Sequence, residues 1–311
     1  MNLYDPLLER DVDGIRAAAR EYRRDHTSDE LFQAVARFAL LAYSPSQHGK
    51  HAVISCLSAR ELRGETGERY DDLLTECAIY AASARQPWSE PPITDPPALD
   101  GDEPDEPRLR AERWLARRFD TRDFAHEYFT AAAEDFEDYG HKLIVAVTAW
   151  KLASIFGQQG RYASLRIGVW EMTAYYGQRY EERGNALDTE PLLERLIDQL
   201  DANGGDIISA HAIFLLDAAL QAGDERVLAR VRDYLSGAAG FSPPAERIFG
   251  GLKAAAPPIY RLARDYGALL EMHAVARRLR ALFPALNADR MLAAAQYNLD
   301  HAPSFEEFSF A

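Results

Sequence analysis

Cysteine is scarce in this chain. Two occur in 311 residues, Cys56 and Cys77, with no CxxC pair. Both fall on expected helices and read as small buried hydrophobes, and nothing asks for an oxidising compartment. Long apolar runs are missing as well: none approaches the ~18 residues of a membrane span. The N-terminus, MNLYDPLLERD, lacks a basic segment followed by an apolar one, so no signal peptide is expected. Positive charge is in short supply, with 35 Lys and Arg against 49 Asp and Glu and a net charge of −14. That balance repels a phosphate backbone. The densest basic group, Arg277, Arg278 and Arg280, stands among apolar residues at helical spacing and reads as a solvated face. The expectation is a cytoplasmic chain with neither nucleic acid nor membrane as a partner.

Several chemical signatures are absent. There is no GxGxxG after a strand, no GxxxxGK[ST], no HExxH and no GxSxG, which leaves dinucleotide, nucleoside-triphosphate and zincin chemistry without support. The ExxH pair of di-iron carboxylate bundles does not occur twice. Alternation of period two is nearly absent, so a significant sheet is not expected.

Helical patterning is what the chain has in abundance. Thr27-Ser28-Asp29-Glu30 reads as a capping box leading into Leu31, Val35 and Phe38. Ser44-Pro45-Ser46-Gln47 reads as a second start, for a helix to about Leu62, with a break at Gly64 and a return helix over 70–84. Further helices are expected at 108–119, 121–137, 140–156, 161–181, 190–202, 206–222, 225–237, 244–254, 258–283 and 287–300. Gly157 to Gly160 and Gly223-Asp224 mark turns of αα-hairpins. The fold class is therefore all-α: an irregular multi-helix domain built of αα-hairpins. It is expected as a single helical domain over 1–311. Residues 86–107 carry seven of the sixteen prolines and many acids, so they read as an arm or linker between an N-terminal part, 1–85, and the main part, 108–311.

Three of the helical patterns open on a histidine: KHAVI at 50–54, GHKLI at 140–144 and AHAIF at 210–214. Their spacing, 90 and then 70 positions, excludes a tetratricopeptide-like period. An inward imidazole needs partners for its ring nitrogens, either a carbonyl or a metal ion. Sites in helical bundles are made by side chains projecting from facing helices. His51, His141 and His211 are thus candidate ligands of one ion, and His273 joins them from the apolar stripe Leu262, Tyr266, Leu269, His273. His48, on the face of His51, is a further candidate. His126 would stand about 22 Å from His141 on one straight helix; only a break at Asp138-Tyr139-Gly140 brings it nearer. His26 and His301 read as solvent-facing. Asp138 reads as a helix cap bonded to the His141 backbone, or alternatively as a partner of its imidazole. Lys142 points about 100° away from His141 and is expected to hold its ammonium in water. Glu171 interrupts the aromatic run GVWEMTAYYG; Trp150, Trp170 and Tyr175 are candidate pocket walls.

HGKHAVISCLSARELRGETGERYDDLLTECAIYAA, DYGHKLIVAVTAWKLASIFG and SAHAIFLLDAALQAGD together resemble the questin oxidase-like helical proteins. The likeness lies in histidine-headed helix pairs, over 45–85, 135–180 and 205–235. It implies oxygen chemistry on an aromatic, polyketide-like small molecule, with His51, His141 and His211 as the positions carried over. The expectation is a metal-dependent oxygenase or oxidase with non-haem iron, or alternatively zinc acting as a hydrolase. Two competing expectations stand beside it. One is a non-catalytic helical-repeat-like scaffold for a protein partner, in which these histidines lie far apart. The other is a metal-free enzyme with one histidine as general base.

Overall fold

The computed structural model describes residues 3–43, 49–84, 105–174, 179–203, 207–237 and 258–293. Every regular element among them is helical, and no strand occurs among them. The all-α expectation holds. No helix among the described residues is long and apolar enough to cross a membrane. The chain divides into two compact units, each discontinuous in sequence. The first holds Met1–Glu90, Pro244–Arg277 and Leu292–Ala311; the second holds Pro91–Pro243 and Arg278–Met291. The expected arm at 86–107 lies almost wholly outside the described residues, as do the Ser44-Pro45 start signal, the 244–254 helix and the tail.

In the first unit, three helices pack on one another: Ser28–Leu41, Gly49–Glu61 and Tyr70–Ala84. The capping box is formed as read, with the Thr27 side chain accepting from Glu30 N–H and Glu30 reaching back to the Thr27 backbone. It satisfies two N–H groups that the first helical turn leaves without partners. The buried stripe Leu31, Phe32, Val35, Ala36 and Ala39 then sets which face turns inward. The Gly49–Glu61 helix is buried on nearly all sides, as its run of small residues (Ala52, Ser55, Cys56, Ser58, Ala59) allows. It ends at Glu61, next to the Leu62 end that the sequence places; a short turn, Arg63–Thr66, follows, and Gly67 takes φ +54. Cys56 and Cys77 are buried and free, and their mutual hydrogen bond together with burial pushes the Cys77 thiol well up. Such thiols are inert packing groups.

The second unit is organised on the segment His141–Ala174, two helices that meet at Gly157 (φ +62), where the sequence places the turn of an αα-hairpin; the close approach of Gly168 to Ala146 shows the two arms packed on each other. Pro107–Arg118, Phe124–Ala132 and Ile207–Ala222 pack against it. Glu225–Gly237 and Thr189–Ala202 pack in turn on Ile207–Ala222. Asp224 caps Glu225–Gly237 by accepting from the N–H groups of Arg226 (2.9 Å) and Val227 (3.2 Å). Asp233 fastens the segment 179–187: it accepts from Tyr180 Oη at 2.8 Å and from the backbone N–H groups of Arg183 and Asn185. Burial alone would raise the Asp233 carboxyl, but these donors outweigh it and hold the group below the usual carboxylate range.

Two predictions arise here. Asp233 has a depressed folded-state pKa, so its contribution is complete above the unfolded carboxyl value of about 3.9 and vanishes as pH falls through the folded value. Asp233→Asn is therefore expected to flatten the acid limb of a stability-versus-pH curve measured by urea unfolding. An unchanged acid limb would contradict this. At Gly168 an added Cβ would stand 1.8 Å from Tyr128 Oη and 3.3 Å from Ala146 Cα. Tyr128 is fully buried and bonded to the Leu165 carbonyl at 3.0 Å, so it has no room to retreat. Gly168→Ala should cost about 1–3 kcal/mol in the same assay.

Candidate metal centre

The turn before His141 departs from ordinary backbone. Asp138, Tyr139 and Gly140 are successively left-handed, at φ +52, +58 and +80. Aspartate tolerates that region and glycine is at ease there; a tyrosine in it is strained. Gly140 is required on a second count, because a Cβ would lie 2.8 Å from the Leu215 methyl groups. The consequence of the turn is local. It folds the Asp138 carbonyl over the first residue of the helix, where it accepts both the His141 backbone N–H and the ring Nδ1–H. Asp138 Oδ2 stands 3.3 Å from the same nitrogen. Asp138 thus partners the imidazole through both its carbonyl and its carboxylate, and the left-handed turn directs the same carbonyl to the backbone N–H of His141. With Nδ1 holding the proton, His141 Nε2 keeps its lone pair.

His211, buried on the Ile207–Ala222 helix, faces that lone pair, with Nε2 3.2 Å from His141 Nε2. Two ligand nitrogens bound tetrahedrally at ~2.0–2.1 Å stand about 3.3 Å apart, so the pair already has the span of one edge of a metal site. Without an ion the same distance suits His211 Nε2–H donating to His141 Nε2. Phe214, one turn on, lies 5.6 Å from the His211 ring, and Tyr139 lies 5.8 Å from it on the other side.

His51 is half-buried at the start of the Gly49–Glu61 helix. Its Nδ1 faces both oxygens of Glu271, at 3.3 and 3.4 Å, and Ser55 Oγ donates to the same carboxylate at 3.4 Å. Glu271 is buried at 4% exposure on the Pro258–Leu282 helix. A carboxylate cannot donate, so Nδ1 carries the proton and Nε2 carries the lone pair, as in His141. One ligand atom from each of His51, His141 and His211 lies within 4.8 Å of the others, and the three could hold a metal ion.

The remaining candidates divide among other roles. His273, half-buried two positions from Glu271, does not belong to that group of three. His126 pairs with Asp224 at 2.5 Å, on a helix that ends at Ala132, well short of Gly140. His26 is half-buried and stacked on Tyr22, with ring centroids 3.8 Å apart, and does not point into solvent. His48, Tyr175 and His301 lie outside the described residues. Trp150 packs among Phe124, Tyr128 and Phe129. Trp170 donates to Glu112 and lies under the Arg166 guanidinium at 3.9 Å.

Two expectations about charge are corrected. Lys142 is not in water: it is buried, and its Nζ bonds Asp135 Oδ2 at 2.6 Å. Periodicity turned it away from His141, but another element covers that face too. Arg278 belongs to no solvated face, since it grips the buried Asp217 through Nη2 at 2.6 Å and Nε at 3.1 Å; Arg277 and Arg280 are exposed as expected.

Glu271 is the residue sequence reasoning missed. The signal was an acid inside an apolar helical run, LLEMHAV, a pattern shared by Asp217 in FLLDAAL and Glu171 in VWEM. All three acids are buried. Comparison with protein families, with curated proteins and with solved structures finds no match to this chain.

Lys142→Ala should destabilise the protein by about 3–5 kcal/mol, because it leaves the Asp135 charge buried without its cation, held only by the Glu137 N–H. Asp135→Asn added to Lys142→Met should recover much of that loss. Equal stability of Lys142→Ala and the parent would show that the pair is open to water.

Proposed function

We propose that the protein is a metal-dependent oxidoreductase whose His51, His141 and His211 hold one non-haem iron ion. The observation that carries the reading is the grouping of three imidazoles, one nitrogen from each within 4.8 Å. The donor chemistry fits. Neutral imidazole is the commonest side chain for iron, copper and zinc. His141 and His51 each hold a proton on Nδ1 by a hydrogen bond, which turns an Nε2 lone pair outward as a ligand requires. Among the described residues no Cys, Asp or Glu joins the group. Three protein ligands with a position left open mark catalytic sites, whereas structural sites are closed by four. The grouping counts against the scaffold reading, which requires the histidines to be far apart.

Iron held there would supply the one-electron chemistry that dioxygen needs. The chain's part is to hold three imidazoles near helix starts and to fix the tautomers of His51 and His141. An aromatic, polyketide-like substrate is the expectation carried by the resemblance to questin oxidase-like proteins. Phe214 and Tyr139, both within 6 Å of the His211 ring, supply the aromatic contact such a substrate would use. A second reading rests on the ligand set itself: three histidines with an open position also suit zinc that activates water for hydrolysis.

Elemental analysis of protein purified without added metal tests the reading. About one iron or zinc per chain is expected, absent from His51→Ala, His141→Ala and His211→Ala alike. A chelator should lower the parent's melting temperature and leave that of His141→Ala unchanged. A metal-free parent that is indifferent to added Fe²⁺ and Zn²⁺ would refute it. Iron rather than zinc in the parent would favour the oxidoreductase over the hydrolase.

A further inference from the structure

Glu271 is an unusual residue to bury. It sits between Leu270 and Met272, both themselves buried, and retains only 4% of its surface. An isolated ionised carboxylate in such surroundings is costly, so its partners decide why it is there. Its partners include the Nδ1 of His51, within 3.4 Å of both carboxylate oxygens, and the hydroxyl of Ser55. His51 and Ser55 are one helical turn apart, so a single helix face presents both donors to the one acid. The acid arrives from 220 positions further along the chain.

From this geometry we infer that Glu271 is a positioning residue for His51 as a metal ligand, with Ser55 holding the carboxylate in place. The inference rests on the metal-binding reading of His51 given above. Three effects follow from general chemistry. The carboxylate fixes the proton on Nδ1, so that Nε2 is always the donor atom. It holds the ring in one orientation, removing an entropy cost that metal binding would otherwise meet. Its negative charge also makes the imidazole a stronger electron donor to an ion. His141 receives the first two of these from the Asp138 carbonyl, and Asp138 Oδ2, 3.3 Å from the same nitrogen, adds a carboxylate beside that ring as Glu271 does beside His51.

The test uses the full-length chain and Co²⁺ as a spectroscopic probe, with affinity from competition against a chelator. Glu271→Gln keeps the volume and a hydrogen-bond acceptor but removes the charge; Glu271→Ala removes both; Ser55→Ala loosens the carboxylate. The two Glu271 variants are expected to bind Co²⁺ about 10–100-fold more weakly than the parent, Ala worse than Gln, with shifted visible absorption bands. Ser55→Ala should show a smaller loss in the same direction. Melting temperatures of the metal-free proteins separate this role from a structural one. Variants that melt lower without metal yet bind Co²⁺ with parental affinity and spectrum would overturn the positioning role while leaving the metal site intact. A parent that binds no Co²⁺ at all would overturn both.

Discussion

The contact between the imidazoles of His141 and His211 sets the terms for everything else in the second unit. Two buried rings with facing Nε2 atoms 3.2 Å apart need either a shared proton or a shared ion between them. Which nitrogen is the acceptor is not decided by the rings themselves. It is decided by the Asp138 carbonyl, and that carbonyl is in place because three consecutive residues accept left-handed backbone. Strain of this kind persists only where the surroundings over-determine it. Here Leu215 packs so closely on Gly140 that no side chain fits between, which locks the turn against the very helix that carries His211. A backbone peculiarity and a side-chain pair are thus one construction.

Buried charge follows a common rule in both units. Lys142 with Asp135, Arg278 with Asp217, Arg166 with Glu112 and His51 with Glu271 each join groups that would be expensive to bury alone. Such pairs add little net stability against apolar replacements, but losing one member is costly. Their effect is to specify which helices meet. Arg166 and Trp170, one turn apart, both reach Glu112 and so fix Pro107–Arg118 on the His141–Ala174 segment. Asp233 does the same for an irregular segment by collecting several donors on one carboxylate.

Much of the fold was legible in the linear pattern, for local reasons. The Thr27 capping box, the Gly157 hairpin turn, the Gly223-Asp224 turn and the boundaries of Ile207–Ala222 depend on residues within one or two turns of one another. Where reading failed, a more distant group had intervened. Lys142 faces away from His141 as its 100° offset requires, yet that direction leads to Asp135 and not to solvent. The histidine heads of three helices were visible as a pattern. Glu271 was not, because nothing local links it to His51.

The sequence by itself determined that the chain is helical, where its caps and turns fall, and that imidazoles stand at the starts of apolar helices. Those are consequences of short-range periodicity and of hydrogen bonds made within a few residues. Only the tertiary structure decided which nitrogen carries the proton in His51 and His141 and which acid answers each buried base. Those outcomes depend on groups far apart in the chain, brought within about 3 Å of one another when the helices pack, the range at which a hydrogen bond forms.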